Sequence, residues 1–589
     1  MKKLLDEIST VVGEAFTECG YDGSYGKVTV SNRPDLCEYQ CNGAMACAKE
    51  AHKAPFMIAD EIAAKLNGNE MFAKVESVKP GFLNMDLSEA FLAERINRMS
   101  NESKFGLEEN KNPKTIVIDY GGPNVAKPLH IGHLRPAIIG ESIKRILRYT
   151  GNTVYGDVHI GDWGLPIGLL ITELRRRKPD LCYFDDSFTG DYPEEAPFTL
   201  ADLEEMYPFA SAYSKEHEDY HKEAMEVTSK MQQGNRAYRA LLDHILRLSF
   251  ADLKVNYGNL NVDFDLWLGE SNAQPYIPDM IKDLEDRHIA HESNGALVVD
   301  VAEESDKREM PPCLIRKSDG AALYATTDIG TIMMRVHDQN PDEIIYVVDK
   351  RQELHFTQVF RVVKKAGYVK NDMNLVHIGF GTMNGKDGKP FKTRDGGVMR
   401  LSNLLKDIEE EMYNKIVSNH PVDDEKEARN NAKIVGLAAL KYGDLSNQAT
   451  KDYIFDIEKF TSFEGNTGPY LLYSIVRIKS ILAKYKASGK DATGKKILPA
   501  HNKSEKDLML MLAGFTAMIE NAAAEYAPHK VCAYIYDLAN IFNHFYHETN
   551  IMAEENEDVQ ASYVLLLKLT KEVLEASIDL LGFEAPERM

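Results

Sequence analysis

Tryptophan and cysteine are scarce in this chain, with 2 and 7 among 589 residues. An odd number of cysteines without regular spacing excludes a disulfide framework and points to reduced thiols. Cys37, Cys41 and Cys47 form a cluster, but it lacks the fourth ligand and the tight pairs of a structural zinc site, so no structural zinc is expected. No apolar run approaches the roughly 18–20 residues of a membrane helix. The opening segment, MKKLLDEISTVVGEAF, mixes acids among apolar positions at helical spacing. It reads as an amphipathic helix and not as a signal peptide, so a cytoplasmic protein without a membrane partner is expected.

Positive charge is also short. Lys and Arg number 69 against 91 Asp and Glu, a net charge of −22, which argues against a uniformly basic nucleic-acid binder. The distribution is uneven, however. Residues 180–226 hold 14 Asp and Glu against 2 Lys, whereas residues 477–506 hold 9 Lys and Arg against 2 acids. An acidic chain can still turn one basic face to RNA.

What is present is the profile of a soluble globular protein, with 44% hydrophobic and 27% charged residues. The length calls for several domains. Residues 1–110 read as a small α/β module: an opening helix, the strand-like KVTVSN, helices around Ala44 to Ala51 and Ile58 to Leu66, and strands at FAKVESV and FLNMDL. The polar stretch NESKFGLEENKNPK closes it. Residues 111–455 read as the catalytic α/β domain, with an acidic helical insertion at about 180–256. Its strands are expected at TIVIDY, TVYGDVHIGD, ALVVDV, EIIYVVD and NLVHIGF. From 456 to 589 the strand signal fades and long helical patterns follow one another, predicting an all-α bundle.

The chemistry centres on His130-Ile131-Gly132-His133, which lies between a glycine-bearing strand end and the helical pattern of Leu134, Ile138 and Ile139. A helix N-terminus presents unpaired N–H groups and the positive end of its dipole, which suits a triphosphate. Gly132 lets a ligand approach the backbone, and the two imidazoles can donate to phosphate oxygens as charge builds at the α-phosphate.

The run GGPNVAKPLHIGHLRPAIIG resembles the signature of the arginyl-tRNA synthetases, class I enzymes with a Rossmann-like catalytic domain. VDFDLWLGES, ALYATTDIG, VVDKRQELHF, GKPFKTRDGG, KYGDLS, GNTGPYLLYS and a final PERM follow in the family's order. The resemblance implies an α/β catalytic domain, a small N-terminal α/β module that contacts the tRNA elbow, and an all-α anticodon-binding bundle. It also implies ATP as substrate with Mg2+, L-arginine and tRNA(Arg) as partners, a monomer, and arginine activation that requires bound tRNA.

By motif position, the resemblance implies that Asn124, beside Gly122 and Pro123, meets the backbone end of arginine together with His133. Tyr324 and Asp328 read the guanidinium, and Asp119 and Gln352 complete the polar walls. Such a pocket needs carboxylates and amide oxygens, because arginine offers a planar five-donor cation. Lys127, His130, Gly132 and His133 are the ATP contacts. The family's class usually carries a Lys-Met-Ser-Lys-Ser loop, and here the corresponding stretch runs Lys389-Pro390-Phe391-Lys392-Thr393, so Lys392 is the residue assigned from it. For tRNA the candidates are Phe82 and Asn84 in the N-terminal module and Tyr470 and Phe542 in the bundle, with Tyr473, Phe545 and Tyr546 as further platforms. A different class I synthetase or a small nucleotidylyltransferase would share the histidine motif but not the later segments. A catalytically idle paralogue would have no physical reason to keep Asn124, His130, His133, Tyr324 and Asp328 together.

Overall fold

Thr115–Tyr120 is apolar at almost every position and is buried at five of its six residues, as expected of a strand covered on both faces. The computed structural model, which describes residues 1–125, 127–317, 324–389, 399–419 and 424–589, places it inside a four-stranded parallel sheet. The order is Asn374–Phe380, Glu343–Asp349, Thr115–Tyr120, Thr153–Asp157. The chain first extends the sheet to one side of Thr115–Tyr120 and later returns to its other side. The order therefore reverses between Thr115–Tyr120 and Glu343–Asp349, and the carboxyl ends of these two strands flank a crevice of the kind that takes nucleotides in doubly wound folds.

Ala296–Val299 does not join this sheet. It belongs to a separate antiparallel sheet with His291–Ser293 and Cys313–Arg316. The cause is local: Asn294 and Gly295 both have positive φ, at 52° and 77°, and an Asn-Gly pair of this kind closes a two-residue hairpin onto the preceding strand.

The insertion forms three helices, Leu200–Glu216, Glu218–Gln232 and Arg236–Asn259. The first begins with a capping box in which Thr199 and Asp202 exchange side-chain to backbone bonds. Its acidity is partly met by the three arginines that end the helix Leu165–Arg177. Arg175 and Arg176 reach Glu223, and Arg177 reaches Glu173 and Glu205.

These elements belong to one compact unit, Lys111–Thr461 with Leu580–Phe583. The second unit joins Met1–Asn110 to Ser462–Asp579 and Glu584–Met589. Its N-terminal part is an antiparallel sheet in the order Val28–Val30, Tyr39–Cys41, Phe82–Leu87, Phe72–Val78, with the helices Leu4–Glu18 and Pro55–Leu66. Ile8, Val12, Phe16, Ile58 and Ile62 fill its core at helical spacing. Its C-terminal part is helical: Gly468–Ala487, Lys503–Ala513, Phe515–Ala524, Pro528–Glu548 and Glu557–Leu580. Asn97 joins the two parts through a pair of bonds with the Ile497 backbone, at 2.7 and 2.9 Å. Lys506 adds a bond to the Leu87 carbonyl and an ion pair with Glu38 at 2.7 Å.

The stretch Lys503–Ala524 corrects one expectation from the sequence. By length and composition it is apolar enough to cross a membrane. In this fold 44% of it is buried, against neighbours that include Glu89–Asn101 and Pro528–Glu548. The three clustered cysteines are all buried, with the Cys37 thiol donating to Ser31 and that of Cys41 to the Tyr25 carbonyl.

Candidate active site

The strand Thr115–Tyr120 ends in two glycines with positive φ, 94° at Gly121 and 49° at Gly122, a turn that side chains rarely tolerate. The chain then passes Asn124, pairs with Gly161, and enters a single 3₁₀ turn, Ile131–His133, that leads into the helix Leu134–Tyr149. A Cβ on Gly132 would lie 2.8 Å from the His130 ring, so a side chain there would push the ring out of its place.

Each histidine of this turn is held through one ring nitrogen. His130 Nδ1 accepts from the Gly132 N–H at 3.0 Å, and His133 Nδ1 accepts from the His130 N–H at 3.1 Å. The ring centroids lie 4.0 Å apart. Burial, then the charge of Lys127, pushes the His130 pKa down; burial, His130 and Lys127 together push His133 down to about 3. Both rings are therefore neutral at neutral pH. With each Nδ1 serving as an acceptor, the proton sits on Nε2, and two Nε2–H donors are fixed at a helix start.

The turn is fastened from two sides. Ile131 N donates to Met399 O at 3.0 Å and Leu401 N to Leu129 O at 2.9 Å, so the segment after the lysine-bearing loop pairs with the histidine segment. Arg135, 2% exposed, ties the helix start to Asp444 at 3.0 Å and to the carbonyls of Gly381 and Lys451 at 2.6 and 3.1 Å. Lys441 of KYGDLS donates to the carbonyls of Leu260 and Gly582. Sequence reasoning did not single out Arg135, Lys441 or Asp444, and their burial identifies KYGDLS as a brace.

A cavity of about 520 Å³ opens at the strand ends, lined by Asp119, Gly122, His130, Gly132, His133 and Gln352. Gln352 reaches it because Lys350–Gln352 is a tight turn after Glu343–Asp349, set by the Asp349 carboxylate accepting from Arg351 N at 2.8 Å. The reading of Asp119 changes. Its Oδ2 accepts from Arg335 Nη2 at 2.6 Å, and the same nitrogen meets Asp157 at 2.6 Å with Arg335 fully buried. Asp119 thus reaches the cavity already engaged by an internal guanidinium. Asp157 and His159 would complete a set of cation ligands with it, but Arg335 supplies the positive charge there.

Tyr324 and Asp328 lie one turn apart on the helix Tyr324–Gln339. Tyr324 is 78% exposed, whereas the Asp328 Oδ2 lies 2.5 Å from His355 Nε2. His355 sits on Glu353–Lys365, directly after Gln352, so this pair links the two elements assigned to arginine. The motif VVDKRQELHF contains His355, but nothing in its spacing distinguished it from a surface residue. Lys127 holds its ammonium 4.6 Å from the centre of the Tyr207 ring. Lys392 lies outside the described residues.

Glu270 is half-buried beside these groups. Burial raises its pKa to about 7, with Asp162 and Asp328 adding to the rise and His159 opposing it. The folded protein keeps this proton to about pH 7, whereas an unperturbed glutamate releases it near 4.5, so stability falls as pH rises through that window. Glu270→Gln should gain on the parent in unfolding free energy between pH 5 and pH 7, at about 1.4 kcal/mol per pH unit at most, and level off above. A gap between variant and parent that does not change with pH would contradict this.

Three family descriptions match the chain in order: "Arginyl tRNA synthetase N terminal domain" over residues 2–87, "tRNA synthetases class I (R), catalytic domain" over 96–457, and "DALR anticodon binding domain" over 471–589. The arginine–tRNA ligase of Agathobacter rectalis is 62% identical over 597 residues, covering all of both chains.

The chain belongs to the arginyl-tRNA synthetase family.

The arginine–tRNA ligase of Alkaliphilus oremlandii is 54% identical, again over the whole of both chains. In fold, the synthetase is similar to the arginyl-tRNA synthetases of Plasmodium falciparum and Thermus thermophilus, with TM-scores of 0.81 and 0.78, 24% identity and full coverage of each chain. Its catalytic domain is of class I, flanked by the N-terminal module and the helical DALR domain. It activates arginine with ATP and transfers it to tRNA(Arg).

The synthetase's expected RNA contacts divide. Phe82 is half-buried at the start of its strand, while Asn84 is 7% exposed and its Oδ1 accepts from Gln40 at 2.9 Å across the sheet. Phe542 is corrected outright: it is fully buried in the bundle core, as is Phe545, and offers no face to a base. Tyr470 is half-buried, its hydroxyl bonded to Asn540 and Asn543. The exposed aromatics are Tyr473 and Tyr546, at 41% and 37%, with the Arg477 guanidinium 4.8 and 5.3 Å from their ring centres. All lie on two packed helices, and only the positions turned from the core reach solvent.

Proposed function

We propose that His130, His133, Gly132 and Lys127 hold the triphosphate of ATP, with Lys392 joining them from the loop, while Gly122, Pro123, Asn124, His133, Tyr324, Asp328 and Gln352 hold arginine. The observation that carries this reading is the pair of neutral imidazoles whose Nδ1 atoms are occupied and whose Nε2–H groups remain to donate at a helix start. Arginine's carboxylate attacks the α-phosphorus, its oxygen forming the new P–O bond as pyrophosphate leaves. The Nε2–H donors stabilise the negative charge that gathers on the phosphate oxygens. In the second step the terminal ribose hydroxyl of tRNA attacks the acyl carbon and AMP departs. Mg2+ enters with ATP as the counter-ion of its phosphates, bound chiefly by substrate oxygens and water.

On this reading residues 1–110 contact the tRNA elbow, 111–455 carry out both chemical steps, and 456–589 bind the anticodon loop, in a cytoplasmic monomer without a membrane partner. Phe82 is the remaining elbow candidate. Tyr473 and Tyr546 replace Phe542 as stacking platforms, with Arg477 between them suiting base and phosphate alike. The eroded lysine loop leaves ATP with fewer cationic contacts than its class usually provides, which supports completion of the site by bound tRNA. ATP–pyrophosphate exchange should therefore depend on both arginine and tRNA(Arg). Robust arginine-dependent exchange after complete removal of RNA would overturn the tRNA requirement.

A further inference from the structure

The acidic insertion, for which the sequence suggests no use, touches the phosphate site at two points on one helix face. Glu204 and Tyr207 are three residues apart on Leu200–Glu216, so their side chains leave the helix on the same side. The Tyr207 ring lies under the Lys127 ammonium, 4.6 Å from ring centre to Nζ. Glu204 Oε2 lies 3.1 Å from Arg400 Nη1. Lys127 lies three residues before His130, and Arg400 forms an antiparallel bridge with His130. One face of the insertion thus grips both basic side chains beside the two Nε2–H donors.

We propose that Tyr207 is a positioning residue for the phosphate-binding lysine, its ring holding the Lys127 ammonium beside His130 and His133 so that ATP meets a lysine already gathered at the site. The inference rests on the reading that Lys127 contacts ATP. A lysine on its four-carbon stem loses considerable rotamer freedom when it is fixed on a ligand, and an aromatic face that confines it beforehand reduces that loss. The attraction is electrostatic, between a cation and the negative face of the ring, so it needs an aromatic residue and not a hydroxyl. Glu204 serves the same end by fixing Arg400, and with it the backbone that pairs with Leu129 and Ile131.

The test is a double-mutant cycle read by ATP–pyrophosphate exchange with saturating arginine and tRNA(Arg). Tyr207→Leu should raise the KM for ATP by roughly three- to tenfold and leave that for arginine within about twofold. Tyr207→Phe should stay within about twofold of the parent, because the ring face is kept. In a Lys127→Ala background, Tyr207→Leu should add nothing further. Should Tyr207→Leu fail to fold, Tyr207→Gln carries the same expectations. A Tyr207 effect that persists undiminished without Lys127 would mark a structural role and overturn the inference. So would a strong Lys127→Ala effect with none from Tyr207. If Lys127→Ala itself leaves the KM for ATP unchanged, the assignment of Lys127 to ATP falls, and the inference with it.

Discussion

Asp328→Asn should cut kcat/KM for arginine by about two to three and a half decades while the protein stays folded. A guanidinium–carboxylate pair shielded from water is strong because it is charge-assisted, and removing one partner leaves the other charge uncompensated, a loss of about 3–5 kcal/mol. Each ~1.4 kcal/mol is tenfold. The side chain of Asp328 is 21% exposed and its Oδ2 bonds to His355, so its direction is set before a ligand arrives. Citrulline keeps the shape of arginine but lacks the charge, and its weaker binding should change far less. The measurement is a pair of kinetic series on variant and parent, with citrulline as a competitor of arginine. Equal weakening of the two ligands, or little weakening of arginine, would reduce Asp328 to a link to His355 and place the guanidinium reader elsewhere.

The second large effect belongs to the histidines. His130→Ala or His133→Ala removes a fixed N–H donor aimed at developing charge, and by comparison with oxyanion-hole donors this should lower kcat by about two to three decades. His133→Ala should be the more damaging. It also strips the His130 backbone N–H of its acceptor and, on the proposed reading, weakens arginine binding. Burial lowers both pKa values and takes His133 down to about 3, so the His133 ring should stay neutral throughout the working pH range. The kcat profile should carry no step from His133 between pH 6.5 and 8. A change below about threefold in either variant would mean that the donors point away from the reacting phosphate.

The histidine turn was legible in the sequence because its determinants are local: two glycines, a four-residue motif and a helical repeat lie within 30 positions of each other. Three of the four N-terminal strands and the long C-terminal helices were legible for the same reason, whereas the three-residue strand Tyr39–Cys41 was not. What escaped was set by partners distant in sequence. Asp119 looked like a free pocket wall, yet its partner Arg335 is 216 residues away, and Arg135 meets Asp444 across 309. Phe542 and Tyr546 share one aromatic-rich helix, and which of them faces the core depends on how that helix packs, which periodicity alone left undecided. The hairpin at Asn294-Gly295 was a signal present in the sequence and outweighed there by the apolar run that follows it.

A crystal structure of the synthetase with arginine and a non-hydrolysable ATP analogue tests the central geometry most directly. The account predicts phosphate oxygens about 2.7–3.2 Å from the Nε2 atoms of His130 and His133, with both Nδ1 atoms still bonded to the backbone and the guanidinium against Asp328. Phosphates seated away from the histidine turn, or either ring reversed so that Nδ1 faces the ligand, would contradict it.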